Sequence, residues 1–285
     1  MGSKLSIITD EISQDFEEVL QIAQGFGIKD VEVRGVWGKN IALFEDEDLQ
    51  KMNALLKKYE MGISMVSGPF GKSLLPGSLF DIFHKKKNFT LNPEYNLSLF
   101  DRIVEISDIL GTDIIRVFNF FKFGVRSSKQ KNWDKMKKYI RKYAKKAEQK
   151  GKILMLENEH VCFADNIENT FKILKEIDSP ALKLNLDPGN FYSAKDGVVP
   201  EDYRIFYENE MVGYMHIKDP VGRIPIIGSN FGVVGEGKID YESLISQALN
   251  YDYKGYFSLE THCLKNKKDV SLKSLEYLSH LLKQG

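Results

Sequence analysis

At 285 residues, with 42% apolar residues, 18 Phe and 13 Tyr, the chain can bury a large core, and its length suits one large domain over residues 1–285 better than two small ones. Forty Lys plus Arg against forty Asp plus Glu give zero formal charge, so the chain as a whole lacks the basic footprint of a nucleic-acid binder, and no nucleic-acid partner is expected. No apolar run reaches the roughly 18 residues of a membrane span, and the two cysteines, Cys162 and Cys263, cannot form a disulfide framework. With no signal peptide before the first strand, the expected compartment is the cytoplasm.

In chain order, KLSIITDEIS begins as a strand at Lys4 or Leu5, and a helix from Phe16 to Phe26 follows, capped by Ser13 or Asp15 and stopped at Gly27. DVEVR, ending at Arg34, is the second strand, and its helix spans about Glu45 to Tyr59. Gly62 leads into the third strand, ISMVS. From Gly68 to Pro93 the pattern gives way to Gly, Pro and Lys, the composition of a lid or binding loop. A helix from Glu94 to Leu110 precedes the strand TDIIRVF. Next comes a Lys-rich helix whose Trp133, Met136, Ile140 and Ala144 recur at helical spacing, so its basic residues read as a solvated face. KILMLE, a helix from Asp165 to Ile177, LKLNLD, a short helix from Glu201 to Asn209 and VGYMHIKD continue the alternation. A second long connection, Lys218 to Lys238, precedes the helix Tyr241 to Tyr251, the strand GYFSLE and a final helix near Asp269 to Leu282. Unbroken strand-helix alternation argues for a parallel sheet, and eight repeats favour closure into an α/β (β/α)8 TIM barrel over an open doubly wound sheet.

Four of these strands finish on a side chain able to bind metal: ILMLE at Glu157, LKLNLD at Asp187, GYMH at His216 and GYFSLE at Glu260. Period-two alternation sends Glu157, His216 and Glu260 inward with Met155, Tyr214 and Ser258, while Leu156, Met215 and Leu259 face the helices. In a barrel all four fall at the C-terminal ends of consecutive strands, where active sites lie. Charged groups crowded into one mouth repel one another unless a cation intervenes. Three carboxylates and one imidazole suit a single hard or borderline divalent ion.

The ordered tags LENEH (Leu156 to His160), LDPGN (Leu186 to Asn190), HIKD (His216 to Asp219), GEGKID (Gly235 to Asp240) and LETH (Leu259 to His262) resemble the xylose isomerase-like barrels. The match is to the sugar-phosphate isomerase/epimerase branch that includes ketose 3-epimerases and inosose-processing enzymes. The resemblance implies that Glu157, Asp187, His216 and Glu260 hold one divalent ion, usually manganese, magnesium or cobalt, with zinc also compatible. It further implies a small carbohydrate or related polyol substrate that loses a C–H proton next to a polarised carbonyl to give an enediolate. In the epimerases resembled, the counterparts of Glu157 and Glu260 flank the sugar, one taking the proton and the other returning it.

Around this set, Asn190 stands where relatives often place a substrate-contacting histidine, which weakens an assignment to the ketose 3-epimerases proper. His160 is a candidate for binding substrate hydroxyls. Lys218 shares the inward parity of His216, and the family often has a basic substrate contact near Arg223. Arg34, Arg116 and Lys72 are candidate anion donors, with local pairing to acids such as Glu32 as the plainer reading.

Three other functions fit the same scaffold: a metal-dependent dehydratase or lyase, an apurinic endonuclease and a non-catalytic sugar-binding barrel. Against the endonuclease, the early strands end at Arg34 and Ser67 and the loop before Gly235 has no histidine. Against the binding barrel, both Glu157 and Glu260 are present. The sequence leaves oligomeric state open, a homo-oligomer included.

Overall fold

The computed structural model describes residues 4–77, 89–123, 130–197, 199–224 and 228–284. Eight parallel strands form one sheet: β1 Lys4–Ile7, β2 Asp30–Val33, β3 Gly62–Val66, β4 Ile114–Val117, β5 Ile153–Glu157, β6 Leu182–Leu186, β7 Val212–Ile217 and β8 Tyr256–Leu259. The sheet runs β1-β8-β7-β6-β5-β4-β3-β2, and a parallel bridge between Ile8 and Glu32 draws its two edges together into a (β/α)8 barrel. The helices packed outside are α1 Phe16–Gly25, α2 Asp46–Tyr59, α3 Pro93–Ile109, α4 Gln130–Gln149, α5 Ile167–Ile177, α6 Arg204–Glu208, α7 Tyr241–Asn250 and α8 Lys267–Gln284.

Alternation along the strands divides the core as their spacing predicts. Leu156, Met215 and Leu259 face the helices within the main apolar cluster, whereas Met65, Met155 and Tyr214 form a separate buried cluster in the lumen. Each fully buried side chain of this size contributes about 1.5–3 kcal/mol relative to exposure. The lumen is also polar below the site: the Tyr214 hydroxyl lies 2.8 Å from Ser64 Oγ, which lies 2.8 Å from Ser6 Oγ. On α4, Met136, Ile140 and Ala144 are buried while Lys131, Lys138 and Lys142 are exposed, giving the expected solvated face.

Cap chemistry fixes where the helices begin. Before α2 Asp48 Oδ2 accepts the Glu45 amide at 3.0 Å, and at the start of α1 Asp15 Oδ1 accepts from Glu17 N at 3.0 Å. Asn92 and Asn166 do the same for α3 and α5.

Several boundaries differ from the sequence reading, for identifiable reasons. The run after β1 turns into a short helix, Thr9–Ile12, instead of extending the strand. Pro188-Gly189 does end β6, but it also opens a helix, Pro188–Ala194: proline at the first helical turn loses no hydrogen bond, and Asp187 caps it. The Lys218 to Lys238 connection contains an antiparallel hairpin, Asp219–Ile224 paired with Gly228–Gly232. A smaller hairpin, Gly35–Val36 with Lys39–Asn40, follows β2. Of the Gly68 to Pro93 connection, the first part is stitched to the segment after β4, with Phe118, Phe120 and Phe121 donating their amides to the carbonyls of Phe70, Gly71 and Ser73. Gly71 has φ +79°, and a Cβ there would fall 2.1 Å from the Phe118 carbonyl oxygen, so glycine is required. The rest of that connection, 78–88, lies outside the described residues, as does Lys129 at the head of the basic run. Among the described residues no helix is long and apolar enough to cross a membrane.

Candidate metal centre

The four strand ends meet. Ligand-capable atoms of Glu157, Asp187, His216 and Glu260 all lie within 4.8 Å of one another, and all four residues are buried. His216 Nδ1 stands in the middle, 3.7 Å from Glu157 Oε2, 3.9 Å from Asp187 Oδ2 and 3.7 Å from Glu260 Oε2.

Local structure aims each group. Asp187 caps the Pro188–Ala194 helix by accepting Asn190 N on Oδ1 at 2.9 Å, which turns Oδ2 towards the centre. Asn158 ties the ends of β5 and β6 together, donating to the Asp187 carbonyl and accepting from its amide, both at 2.8 Å. Asn190 Nδ2 donates to Glu157 Oε1 at 3.1 Å and to the Asn158 carbonyl at 2.9 Å. Glu260 N donates to the Ile217 carbonyl at 2.9 Å, keeping the end of β8 in register with β7.

These residues fit a cation. His216 Nε2 faces the Glu32 carboxylate at 3.0 and 3.1 Å and donates to it, which leaves Nδ1 as the atom free to bind. Nδ1 is buried and has no hydrogen-bond partner. Asp187 Oδ2 also lacks one of acceptable geometry, although Lys218 Nζ forms an ion pair with it at 2.7 Å. Buried polar atoms left unmatched at the point where acids converge are what a dication would satisfy.

Charge balance agrees. Glu157, Asp187 and Glu260 are joined nearby by Asp10, Glu11, Glu32 and Glu159, while the bases paired with this set are Arg34, Lys72, Arg116, Lys218 and Lys267. With His216 neutral, these acids exceed these bases by two charges, a deficit one divalent ion cancels. The same deficit draws protons. Burial works against a charged His216, but Glu32 and Glu157 overcome it and raise its pKa to about 10. Asp187 is pushed up to about 6 by burial, with Glu260 and Glu157 adding to the rise against the pull of Lys218. Burial also acts to raise Glu260, yet Lys218 and His216 more than reverse it and hold the carboxyl well below its usual range.

A cavity of about 440 Å³ opens onto the cluster, large enough for a small polyol. Arg34, His160, Asn190 and Lys218 line it together with Glu157 and Glu260. Arg34 is held by Asp10 at 2.9 Å, by Glu11 and by Glu260 Oε1 at 2.7 Å. Lys218 Nζ bridges Asp187 and Glu260 at 2.7 Å each. Glu159 links His160 Nδ1 at 2.8 Å to Lys72 Nζ at 2.6 Å, so the exposed imidazole is braced from behind. Arg116 NH1 reaches Glu157 Oε2 at 3.2 Å and NH2 donates to the Ser67 carbonyl at 2.9 Å.

Arg223 is not brought to the cavity. It is exposed on the hairpin, donates to the Tyr192 carbonyl at 2.9 Å and lies over the Tyr192 ring. A second grouping, Glu11, Glu260 and His262, is spoken for: Arg34 and the His262 amide occupy the Glu11 carboxylate, with Lys267 at 3.3 Å. Sequence reasoning missed Glu11 as a partner of Arg34, because it assigned no helix to the Thr9–Ile12 turn that aims Glu11. It gave Glu32 no part beside His216, although Val31 and Val33, both in the main core, flank it with the period of an inward-facing residue. It also missed the cavity-lining Ser229, Asn230 and Phe231, which the hairpin carries.

Comparison with known proteins agrees with this architecture. A 3-dehydroshikimate dehydratase of Bacillus anthracis is 22% identical over 277 residues, covering 93% of this chain and 91% of that protein. A xylose isomerase-like TIM barrel protein of Mycobacterium smegmatis, solved in complex with magnesium, superposes with a TM-score of 0.73 at 17% identity over 100% of this chain and 97% of that one. The D-allulose 3-epimerase of Methylomonas sp. with D-allulose bound gives 0.71 at 16% identity, covering 98% and 97%. The sequence profile of one family matches residues 20–281. By that match and by its eight-stranded barrel, the chain belongs to the xylose isomerase-like TIM barrel family.

Proposed function

We propose that the chain is a divalent-cation-dependent enzyme that moves a carbon-bound proton beside a carbonyl in a small polyhydroxylated substrate, as an isomerase or epimerase. The observation that carries this reading is the convergence of Glu157 Oε2 and Glu260 Oε2 on the unpartnered Nδ1 of His216, each at 3.7 Å. A divalent ion held by Glu157, Asp187, His216 and Glu260, with manganese, magnesium or cobalt best suited, would polarise the substrate carbonyl and lower the cost of removing the neighbouring proton.

The chain's own residues supply the rest. Glu157 and Glu260 sit on the outer two of four neighbouring strands and so approach the cavity from its two flanks, the arrangement that lets one carboxylate take a proton and the other return it. Asn190 steadies Glu157 through Oε1, and Arg34 does the same for Glu260. His160, braced by Glu159, and Lys218 offer donors to substrate hydroxyls, while Phe118 and Phe231 wall the cavity against water. This reading takes the chain as a single domain and as a cytoplasmic enzyme with a small carbohydrate as its partner.

A second reading, a dehydratase, is favoured by the relative from Bacillus anthracis, which is named for dehydration. It begins with the same proton removal and differs in expelling a β-hydroxyl as water. Manganese-loaded protein in D2O, offered ketoses, sugar phosphates, sugar acids, cyclitols and cyclic hydroxyketones, tests both. Deuterium at carbon with no loss of water is expected for an isomerase or epimerase, and loss of water marks the dehydratase. If no member of the panel exchanges or dehydrates, both readings fall.

A further inference from the structure

Glu32 is the acid on β2 that faces the lumen, and it is fully buried. It does not line the cavity. Among the ion pairs of the described residues its partner is His216. Its carboxylate gathers donors from three other places: Ser67 after β3 donates to Oε1, Ser258 on β8 donates to Oε2 at 2.7 Å, and His216 Nε2 on β7 faces both oxygens at 3.0 and 3.1 Å.

The backbone is held as firmly as the side chain. Pairing between β2 and β3 shifts register between Val31 and Glu32, so that Val31 opposes Ile63 while Glu32 opposes Met65. An irregularity of this kind re-aims a side chain. On its other side Glu32 bridges to Ile8, at the seam where the barrel closes.

Burying an ionised carboxylate is costly, so a purely structural bridge at this seam would be served better by a neutral amide. A negative charge directed at Nε2 does something an amide does not. It holds the proton on Nε2, fixes the ring plane and makes Nδ1 the more basic nitrogen. We infer that Glu32 is a positioning residue for the candidate metal centre, presenting His216 Nδ1 to a divalent ion through a charged hydrogen bond. The inference rests on the cation reading of the site given above. It assigns to β2, outside the four ligand-bearing strands, a part in cation affinity.

Titration of manganese chloride into the EDTA-stripped full chain by calorimetry tests it, with thermal unfolding in EDTA as the control for folding. Wild type is expected to bind one ion. Glu32→Gln keeps shape and an acceptor but removes the charge, and it should weaken manganese binding by about 10- to 100-fold. Glu32→Asp keeps the charge but withdraws it from Nε2 by one methylene, and it should weaken binding too. It decides the matter if the Gln variant does not fold. Variants with a lower melting temperature in EDTA but wild-type manganese affinity would show a merely structural role and overturn the inference. Wild-type protein that binds no manganese would remove the cation reading itself, a result distinct from variants that bind as wild type does.

Discussion

The two halves of the barrel divide the work at its mouth. Strands β5 to β8 end in Glu157, Asp187, His216 and Glu260, the groups that converge. The segments at the ends of β1 to β4 carry no member of that set. They supply partners to three of its members instead: Arg34 to Glu260, Arg116 to Glu157 and Glu32 to His216. One arc therefore presents the converging groups, and the other supplies a partner to Glu157, His216 and Glu260, while Asp187 is paired within its own arc by Lys218. Glu157 and Glu260 are each paired with an arginine from the other arc, so reading one arc alone leaves their electrostatics undefined.

This contrast can be broken experimentally. Glu260→Gln, in the converging arc, should keep the fold but lower proton exchange on a responsive substrate by about 100- to 10,000-fold if the proposed function holds. Near-normal exchange would take Glu260 out of the chemistry. Arg116→Met, in the partner arc, leaves Glu157 buried beside an apolar chain and should cost the ion-free protein about 3–5 kcal/mol in urea unfolding. If Glu260→Gln and Arg116→Met lose stability and turnover in equal proportion, the two arcs are not distinct.

A smaller effect follows from pH. His216 has its pKa raised from 6.5 to about 10, so its contribution to ion-free stability is full below about pH 6.5 and is lost as pH rises through about 10. A cation must displace that proton, and manganese affinity should tighten by about tenfold per pH unit between pH 6.5 and 8. A flat profile in calorimetry would mean that Nδ1 is already free. The smallest effect is expected at Arg223, which lies outside the cavity: Arg223→Ala should change turnover by less than about twofold and stability by no more than about 0.5 kcal/mol.

The converging arc was legible in the sequence because each of its strands is a short, largely apolar run closing on a polar side chain able to bind metal, and period-two alternation fixes which residues point inward. Leu156, Met215 and Leu259 in the main core bear that out. The partner arc was harder to read because its pairings are long-range. Arg34 and Glu260 are 226 positions apart, and Glu32 and His216 are 184 apart. Their side chains meet only once the ring has closed, so a lone arginine or glutamate at a strand end gives no local sign of its partner. Pro188-Gly189 ends the strand as proline and glycine usually do, but the helix it opens was hidden for a different reason. Proline stops a strand and also suits the first turn of a helix, and the role of Asp187 as cap depends on the fold. The hairpin within the Lys218 to Lys238 connection was hidden because Gly, Pro and Ile there do not alternate cleanly.

That hairpin is rooted in one side chain. Asp219 accepts the amides of Gly235, Gly237, Lys238 and Ile239 at 2.9–3.1 Å, and a Cβ on Gly237 would fall 2.1 Å from its Oδ1. The anchorage lies at the stem, close to His216 and Lys218, whereas Ser229, Asn230 and Phe231 reach the cavity from the returning strand. Under the proposed function, diversification of those three positions should retune substrate preference while the stem holds the end of β7 in place, which makes this short ribbon the natural place to graft or randomise for a new molecule.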